Sequence, residues 1–325
     1  ELKVGSAAQV AILGSLNISI MDLISFIPSF LAERYGYPIV IAFGAFLLSL
    51  GVFLSSFTTS LPYLICTQGL LFGIGASFVY FPSVSLPAQY FLRRRGFAMG
   101  VSVSGSAVGG LVFSQLAGKL LESIGLAWTL RVTAVICFVV PMMAFAPFMK
   151  SRIPTSKALP TFTFLKRGLF YTLLLVTLFN NAGEFIPLDF LPVYGQQRLG
   201  LSFEDGAIVM TFVKGFNFMG RIAMGYLGDK IGVSNALVLC TWMIAASLFS
   251  WLVAYNFVTL CVVGSLVGFS FGGYWALYPA LLSQVFAKDG SFITVISVVY
   301  TVAAVWTFSC PPISGLIEEH YGLDA

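Results

Sequence analysis

The octapeptide GYLGDKIG at residues 225–232 has a counterpart in the first half of the chain, SFLAERYG at residues 29–36. Each copy ends in glycine, and in each an acidic residue stands directly before a basic one. Other pairs follow in the same order at a separation of about 195 residues, such as Phe81-Pro82 with Tyr278-Pro279. A shared order at a nearly constant separation indicates an internal repeat. The chain is therefore predicted to contain two similar halves.

The composition places this repeat in a membrane. Of the 325 residues, 58% are hydrophobic and only 9% are charged, and the mean hydropathy is +0.94. Soluble domains have about 25% charged residues, so a soluble fold and a disordered chain are both excluded. The formal net charge of +4 is too small to indicate nucleic-acid binding. The cysteines are far apart and form no Cys/His cluster, so neither a metal site nor a disulfide framework is predicted.

Ten apolar stretches, separated by short polar breaks, are each long enough to cross about 30 Å of hydrocarbon as a helix. Lipid offers no water to unpaired backbone groups, so stretches this apolar are expected to be helical. The predicted fold class is an all-α membrane protein. The predicted spans are 8–32, 38–57, 62–91, 96–118, 128–149, 168–194, 205–228, 234–254, 257–286 and 290–317.

The long break between spans, KSRIPTSKALPTFTFLKR at residues 150–167, carries two prolines and five basic residues. It divides the spans equally, so we expect an N-terminal helix bundle at 1–149 and a C-terminal bundle at 168–325. The loops on the side of this linker, which include Arg93 to Arg95, are richer in Lys and Arg than the opposite loops. Such loops usually face the cytoplasm. The linker is therefore predicted to be cytoplasmic, and the plasma membrane is the expected location.

The repeat also predicts how many helices the whole fold contains. The span at 8–32 pairs with the span at 205–228, which leaves 168–194 without a partner in the first half. Likewise, 128–149 has no partner in the second half. The expected architecture therefore has twelve transmembrane helices, of which this chain holds ten and lacks the first and the last. A protein that has only ten spans is the alternative.

The segment 225–232 resembles the loop that marks the major facilitator superfamily, although the first copy departs from it at Ser29 and Glu33. A second stretch, QYFLRRRGFAMG at 89–100 followed by SGSAVGGLVF at 104–113, resembles the monocarboxylate-transporter family, in particular its fungal-type branch. The resemblance implies the major facilitator fold, in which two pseudo-symmetric helix bundles rock around a central site. The glycines of this second stretch are expected to mark a tightly packed helix.

The charged pairs inside the repeat are candidate gate residues. Each pair lies at the end of a predicted helix on the cytoplasmic side, where an acid and a base can form ion pairs between helices. Such pairs would break when the bundles move. The alternative is that these residues are solvated loop charges. The four candidates are Glu33, Arg34, Asp229 and Lys230.

Ionisable residues inside the predicted spans point to a substrate site, because each costs about 2.5–3.5 kcal/mol at the bilayer centre. Lys214, Asn217 and Arg221 are spaced so that they share one face of a helix. Two cations and an amide on one face suit a carboxylate, which arginine can bind through two hydrogen bonds. The predicted substrate is therefore a small organic anion.

Proton coupling requires an acid that can take up a proton near neutral pH. In the animal members of the resembled family, an aspartate stands four residues before the arginine, but here that position is Asn217, which cannot titrate. Glu184 is the first candidate to replace it, and Asp22 is the second. A structural ion pair between Glu184 and Lys214, and structural packing of Asp22, remain open alternatives.

Four further residues complete the predicted substrate site. In the resembled fold, the fourth and tenth helices line the central cavity, and aromatic residues on them could gate the cavity or stack on a ring. Aromatic residues in a span also commonly face lipid or the packed core, which is the alternative. The aromatic candidates are Tyr80, Tyr274 and Tyr278, and Asn181 adds an amide group.

These features predict a secondary transporter that moves a monocarboxylate-like metabolite by alternating access, with proton symport as one option. The predicted spans contain no histidine and no Walker-type loop, so neither an enzyme nor an ATP-driven pump is expected. Transport of another solute, such as a riboflavin-like metabolite, is one alternative, and a truncated non-transporting paralogue or sensor is another. The expected partners are the solute, protons and the lipid bilayer, without a cofactor, a metal or nucleic acid. The oligomeric state is left open.

Overall fold

A computed structural model describes residues 7–57, 60–91, 93–145, 162–286 and 292–321. Within these ranges the chain is helical, with short 3-10 and π-helical segments, and it contains no strand. The predicted all-α class is therefore confirmed for the described residues. Most of the predicted linker, residues 150–161, lies outside them.

The helices are numbered here in chain order. The first six are α1 (Ala7–Leu23), α2 (Phe26–Tyr35), α3 (Tyr37–Ser55), α4 (Leu61–Leu64), α5 (Phe72–Tyr90) and α6 (Arg95–Phe145). The others are α7 (Gly168–Leu199), α8 (Phe203–Ile231), α9 (Val233–Ser250), α10 (Phe257–Val285) and α11 (Phe292–Tyr321). A π-helical segment, Ile65–Leu71, joins α4 to α5, so that Leu61–Tyr90 is one continuous stretch of membrane-spanning length.

Eight helical stretches of the described residues are long and apolar enough to cross a membrane, and a ninth is reached when α1 and α2 count as one bent span. The bend is 47° and replaces the unbroken helix predicted at 8–32. Two predicted spans, 96–118 and 128–149, both begin within α6. This helix is interrupted at Gly125, where φ is 74° and ψ is 171°. Glycine adopts such a conformation without steric cost, so one residue replaces the predicted loop.

The two copies of the internal repeat end in glycines that have similar backbone angles. Gly36 separates α2 from α3 with φ of 96° and ψ of 149°, and Gly232 separates α8 from α9 with φ of 93° and ψ of 136°. A residue with a side chain would be strained at either position. This agreement supports the interpretation of residues 29–36 and 225–232 as equivalent turns between helices.

The helices group into two compact units. Unit one comprises Glu1–Gln89, Ser114–Asn181 and Lys288–Ile313, and unit two comprises Tyr90–Phe113, Ala182–Ala287 and Ser314–Ala325. Each unit therefore combines segments from both halves of the sequence. The predicted bundles at 1–149 and 168–325 follow the order of the chain instead, and their boundary at 150–167 stays a prediction.

Each unit has its own packing. One buried hydrophobic cluster of unit one contains Ala32, Tyr37, Val40, Ile41, Phe78, Leu86 and Ile293. In unit two, α10 packs against both α8 and α9 and is buried along most of its length. Capping boxes begin both α8, with Ser202 and Asp205, and α10, with Asn256 and Thr259. These caps satisfy backbone N–H groups that a helix leaves unpaired, which fixes the starts of two helices that carry candidate site residues.

Candidate functional site

The predicted row of Lys214, Asn217 and Arg221 lies on α8. Asn217 Oδ1 accepts a hydrogen bond from Arg221 Nε at 2.8 Å. Both of these side chains are half-buried, whereas that of Lys214 is exposed. The spacing of four residues therefore does bring the amide and the guanidinium together on one helix face, as expected. Their predicted contact with a substrate stays a prediction.

The guanidinium of Arg221 also reaches α6. Its Nη1 donates to the backbone carbonyl of Val103 and to Ser106 Oγ, the second at 2.6 Å. In this conformation the side chain therefore ties α8 to α6. Sequence reasoning missed Val103 and Ser106, because they lie 118 and 115 residues from Arg221 along the chain.

The backbones of α6 and α8 approach closely beside this arginine. A methyl group on Gly96 would strike the carbonyl oxygen of Gly225, and one on Gly225 would strike that of Gly96. A methyl group on Gly100 would strike the carbonyl oxygen of Arg221. We call this row of backbone contacts between α6 and α8, made by these four residues, the glycine seam. The expected tight packing is confirmed at Gly96 and Gly100 and is wrong at Gly105, Gly109 and Gly110 in this conformation, because a methyl group at any of these three would meet no atom of the described residues within 4 Å.

Asp229, near the end of α8, extends the glycine seam to the start of α6. Its Oδ1 accepts a hydrogen bond from the backbone N–H of Gly96 at 2.8 Å, and its Oδ2 accepts one from that of Phe97 at 2.9 Å. The first turn of a helix leaves its N–H groups without helical partners and carries partial positive charge. A carboxylate is therefore stabilised at this position by hydrogen bonds and by the helix dipole.

The basic residues of the repeat lie over tyrosine rings. Lys230 Nζ is 4.6 Å from the centroid of the Tyr226 ring, and Arg34 Cζ is 5.9 Å from that of Tyr35. Such contacts stabilise by about 0.5–1 kcal/mol at exposed sites. Lys230 and Arg34 are exposed, and Glu33 is half-buried. The predicted gate role of the charged pairs is not tested by these contacts and stays a prediction.

Glu184 on α7 is held by Trp275 on α10. Trp275 Nε1 lies 2.9 Å from Glu184 Oε1 and 2.7 Å from Oε2, so one N–H group donates to both carboxylate oxygens. The positive charges of Arg221 and Lys214 also act on this carboxylate. Three helices thus bring one acid, two bases and an indole together. We call these residues, Glu184, Lys214, Arg221 and Trp275, the charge cluster.

The aromatic candidates are packed against other rings. Tyr274 and Tyr278 are fully buried, and their rings are stacked with centroids 5.2 Å apart. The ring of Trp275 meets that of Tyr274 edge-on at 5.8 Å. In unit one, Tyr80 is half-buried and meets Phe81 edge-on at 5.2 Å. In this conformation the two stacked tyrosines belong to the packed interior of unit two, and their role in substrate binding stays a prediction.

Asn181 lies nearly one turn before Glu184 on α7, and its side chain is buried. Its Oδ1 has no hydrogen-bond partner in the part of the chain that the structure describes. A buried acceptor without a partner typically costs about 1–3 kcal/mol. Asn181 is therefore still a reasonable candidate for contact with a donor group of a solute.

A second polar row joins the α1–α2 segment to α11 in unit one. Ser25 Oγ donates to the carbonyl of Ser297 at 2.9 Å and lies 3.0 Å from Thr301 Oγ1. Ser297 Oγ donates to Ser29 Oγ. We call these four residues the hydroxyl seam. Sequence reasoning missed it, although the spacing of four within each pair places both hydroxyl groups on one helix face.

Asp22 stands close to the hydroxyl seam in sequence and is buried in unit one. Thr307 of α11 is the hydrogen-bonding partner of its carboxyl group. Its Oδ1 has no hydrogen-bond partner among the residues that the structure describes. A buried carboxyl group with a neutral partner is a suitable place for a proton, so Asp22 stays the second candidate for proton coupling.

One enzyme-like pattern, GFSFG at residues 268–272, was missed at the level of sequence. It matches the GxSxG pattern of hydrolases, which requires a sharp turn between a strand and a helix. Here the segment lies inside α10, and Ser270 Oγ donates to the Leu266 carbonyl at 2.7 Å. Methyl groups on Gly268 and Gly272 would strike the backbone of α8. The glycines therefore serve helix packing. No group of metal-ligating side chains occurs within the described ranges.

Comparison with known proteins identifies the family. The model of the Major Facilitator Superfamily matches residues 3–317. The Aspyridones efflux protein apdF of Emericella nidulans is 30% identical over 321 residues, which cover 98% of this chain and 65% of that protein. The Agnestins efflux protein AgnL12 of Paecilomyces divaricatus is 30% identical over 335 residues, which cover 98% and 73%. The chain thus spans less than two thirds of the length of apdF, and it spans 73% of the length of AgnL12.

Two solved structures are similar to the whole described fold. The human organic anion transporter MFSD10 has a TM-score of 0.75 at 16% identity, covering 99% of this chain and 82% of that chain. The proton:xylose symporter XylE bound to 6-bromo-6-deoxy-D-glucose has a TM-score of 0.75 at 13% identity, covering 98% and 83%. At these identities the likeness shows the fold alone, and it confirms the predicted major facilitator fold.

The relatives do not support the narrower resemblance to monocarboxylate transporters, because apdF and AgnL12 are both named as efflux proteins. The prediction of a transport protein rather than an enzyme is confirmed by the family model and by these relatives. The chain belongs to the Major Facilitator Superfamily, and it is a multi-pass integral membrane protein of a transporter family.

Proposed function

We propose that the chain carries a small organic anion through the membrane by alternating access, together with a proton. The charge cluster is the observation that supports this proposal. Its two bases and one acid leave a surplus of one positive charge inside membrane-spanning helices, where an unbalanced charge is costly. Protonation of Glu184 raises this surplus to two, and a bound carboxylate offsets one of the positive charges, which makes the binding of an organic anion favourable.

Lys214 and Arg221 take different parts in the proposed binding. Lys214 has an exposed side chain, so it is the base that an entering solute meets first. Arg221 is oriented by Asn217 and by α6, and its planar fork of donors suits a carboxylate. We place the anion at these two bases. Tyr274 and Tyr278 are proposed to contact the rest of a larger solute once α10 moves.

Glu184 is the proposed proton carrier, because its ionised carboxylate competes with the substrate for the same two bases. Protonation removes this competition, so the proton and the anion bind together. Transport is then symport, and its direction follows the combined gradients of the solute and the proton. A solute that accumulates in the cytoplasm therefore flows outward when its own gradient exceeds an opposing proton gradient. Asp22 is the second proposed carrier.

The names of the relatives support outward flux. The two described above are named as efflux proteins for different compounds, aspyridones and agnestins. The identity of a solute therefore does not carry over between relatives, and the proposed substrate is a class, organic anions that include monocarboxylates. The proposed location is the plasma membrane with segment 150–167 in the cytoplasm, because loops rich in Lys and Arg stay on that side.

The glycine seam with Asp229 is the proposed cytoplasmic gate, together with Lys230 and the equivalent Glu33 and Arg34. For α6 and α8 to separate, Asp229 must give up its two bonds to the start of α6. A side chain that accepts from the first N–H groups of a helix contributes about 0.5–2 kcal/mol. A contact of this strength can keep the gate closed, and it is weak enough to be broken once in every transport cycle.

The test is flux from vesicles that contain the full chain, a trapped solute and a pH-sensitive dye. The solutes are a monocarboxylate, a larger organic anion and the neutral amide of each, and protein-free vesicles correct for passive leakage. We expect the anions to leave faster than their amides and the vesicle interior to become more alkaline, because each anion takes a proton with it. Acidification of the interior, preference for the amides, or no flux of any solute would contradict the proposal.

A further inference from the structure

We propose that Trp275 is a positioning residue that holds the ionised carboxylate of Glu184 beside the two bases and so sets the pH of half-maximal transport. This inference rests on the proposed function, because it concerns the proton that travels with the anion. Glu184 and Trp275 lie 91 residues apart in the sequence, and sequence reasoning gave Trp275 no part in proton coupling.

The geometry of the contact distinguishes the two protonation states of Glu184. The indole N–H is a donor only, and here it donates to both carboxylate oxygens at 2.9 and 2.7 Å. An ionised carboxylate accepts in this way with both oxygens, whereas a protonated one carries a hydrogen on one of them. Hydrogen bonds to ionised groups are also about twice as strong as those between neutral groups. Trp275 therefore favours the ionised state.

The indole is itself held in place. Its ring meets Tyr274 edge-on, and Tyr274 is stacked on Tyr278. A methyl group on Gly272 would strike the backbone of Asn217 on α8, so in this conformation α10 lies in direct backbone contact with α8 beside Trp275. The position of Trp275 relative to the Asn217–Arg221 turn is therefore fixed by packing on both sides.

Among the side chains that the structure describes, the charged groups that act on Glu184 are Arg221 and Lys214, both on α8. They attract the ionised carboxylate towards α8, while Trp275 holds it from α10. Since the two bases are also the proposed anion site, the position of the carboxylate decides whether they are available. Uptake of a proton weakens both the attraction and the indole bond, which frees the bases for the anion.

Removal of the indole N–H should make the ionised state less favourable, so that Glu184 keeps its proton to higher pH. For Trp275→Phe, which keeps an aromatic ring, we expect the pH of half-maximal transport to rise by about one unit, which corresponds to a tenfold change in proton affinity. The same rise is expected when Trp275 is replaced by 3-benzothienylalanine. That residue keeps the bicyclic shape and has sulfur in place of N–H, so it decides the question if the phenylalanine variant does not fold.

Trp242→Phe is the matched control, because Trp242 is exposed on α9, and its midpoint should equal that of the unmodified protein. Glu184→Gln should remove the pH dependence. If it does, and the midpoints of both Trp275 variants are unchanged, the positioning role of Trp275 is overturned while the proposed proton carrier stands. If Glu184→Gln transports with an unchanged pH profile, the proton carrier and the role of Trp275 are both overturned.

Discussion

The hydroxyl seam of unit one and the glycine seam of unit two join helices by different chemistry. In the hydroxyl seam, Ser297 Oγ donates to Ser29 Oγ, and Ser25 Oγ donates to the backbone carbonyl of Ser297. In the glycine seam, the backbones of α6 and α8 meet directly. Asp229 and Arg221 reach across it with charged side chains.

This difference predicts how each seam tolerates change. Hydrogen bonds between membrane helices average about 0.6 kcal/mol, and water or another hydroxyl group can replace a lost partner. A backbone contact has no such replacement, because any added carbon atom collides with a carbonyl group. Substitutions should therefore have large effects at the glycine seam and small effects at the hydroxyl seam.

The largest effect is expected from Gly100→Ala. The added methyl group would strike the Arg221 carbonyl, and overpacking of this kind costs about 1–3 kcal/mol of the free energy of unfolding. Separation of α6 from α8 should also abolish most of the anion flux. Thermal unfolding in detergent and flux from vesicles measure the two quantities.

Gly105→Ala is the control for this prediction, since a methyl group there meets nothing within 4 Å. Alanine favours a helix over glycine by up to about 1 kcal/mol, so this variant should be as stable as the unmodified protein or more so. Equal losses of stability in both variants would contradict the assignment of Gly100 to a backbone contact.

An intermediate effect is expected from Asp229→Ala. The variant removes a carboxylate from the start of α6 and should lower the free energy of unfolding by about 0.5–2 kcal/mol. Because Asp229 joins two helices at the proposed gate, the transport rate should also change several-fold. Flux measured at saturating solute concentration reports this change.

Asp205→Ala removes a comparable carboxylate, but one that caps its own helix α8 through Ser202. It should lose stability to a similar degree and keep the transport rate of the unmodified protein. A change of rate as large as that of Asp229→Ala would mean that loss of any helix cap slows transport, and the proposed gate would be wrong.

The smallest effect is expected from Ser297→Ala in the hydroxyl seam. It removes the bond to Ser29, which is worth about 0.6 kcal/mol on average between membrane helices, and transport should stay near its normal rate. A double-mutant cycle with Ser29→Ala measures the pairwise energy. A coupling energy of several kcal/mol between the two serines would make the hydroxyl seam at least as sensitive to substitution as the glycine seam, which would contradict the predicted difference.

The sequence predicted those parts of the fold that depend on local composition. Long apolar stretches place the spans, and glycine at the end of each repeat places the turns at Gly36 and Gly232. The bend between α1 and α2 and the π-helical turns at Ile65–Leu71 were not predicted. Pro28 marks the bend in the sequence, because proline has no N–H group to donate to the carbonyl of Ile24 and its ring crowds that carbonyl, and sequence reasoning missed this signal. The π-helical turns contain no proline and depend on packing against α1 and α3.

At the candidate site, helical spacing correctly predicted that Asn217 and Arg221 share a face of α8. It could not predict that Trp275 binds Glu184 or that Asp229 binds the start of α6. These contacts join residues far apart in the sequence, and their formation depends on the register between packed helices. The glycines of α6 and α10 set this register through their backbone contacts. A single sequence shows the glycines but does not reveal which part of another helix each one contacts.

The most direct test of the central claim, that the charge cluster binds an organic anion, is the KM for anion flux of Lys214→Gln. Lys119→Gln, which removes the same charge from an exposed position on α6, is measured beside it. The account predicts that KM for anions rises about tenfold in Lys214→Gln, equivalent to about 1.4 kcal/mol. Flux of the neutral amides should stay the same in this variant, and Lys119→Gln should match the unmodified protein. An unchanged KM in Lys214→Gln, or an equal rise in Lys119→Gln, would contradict it.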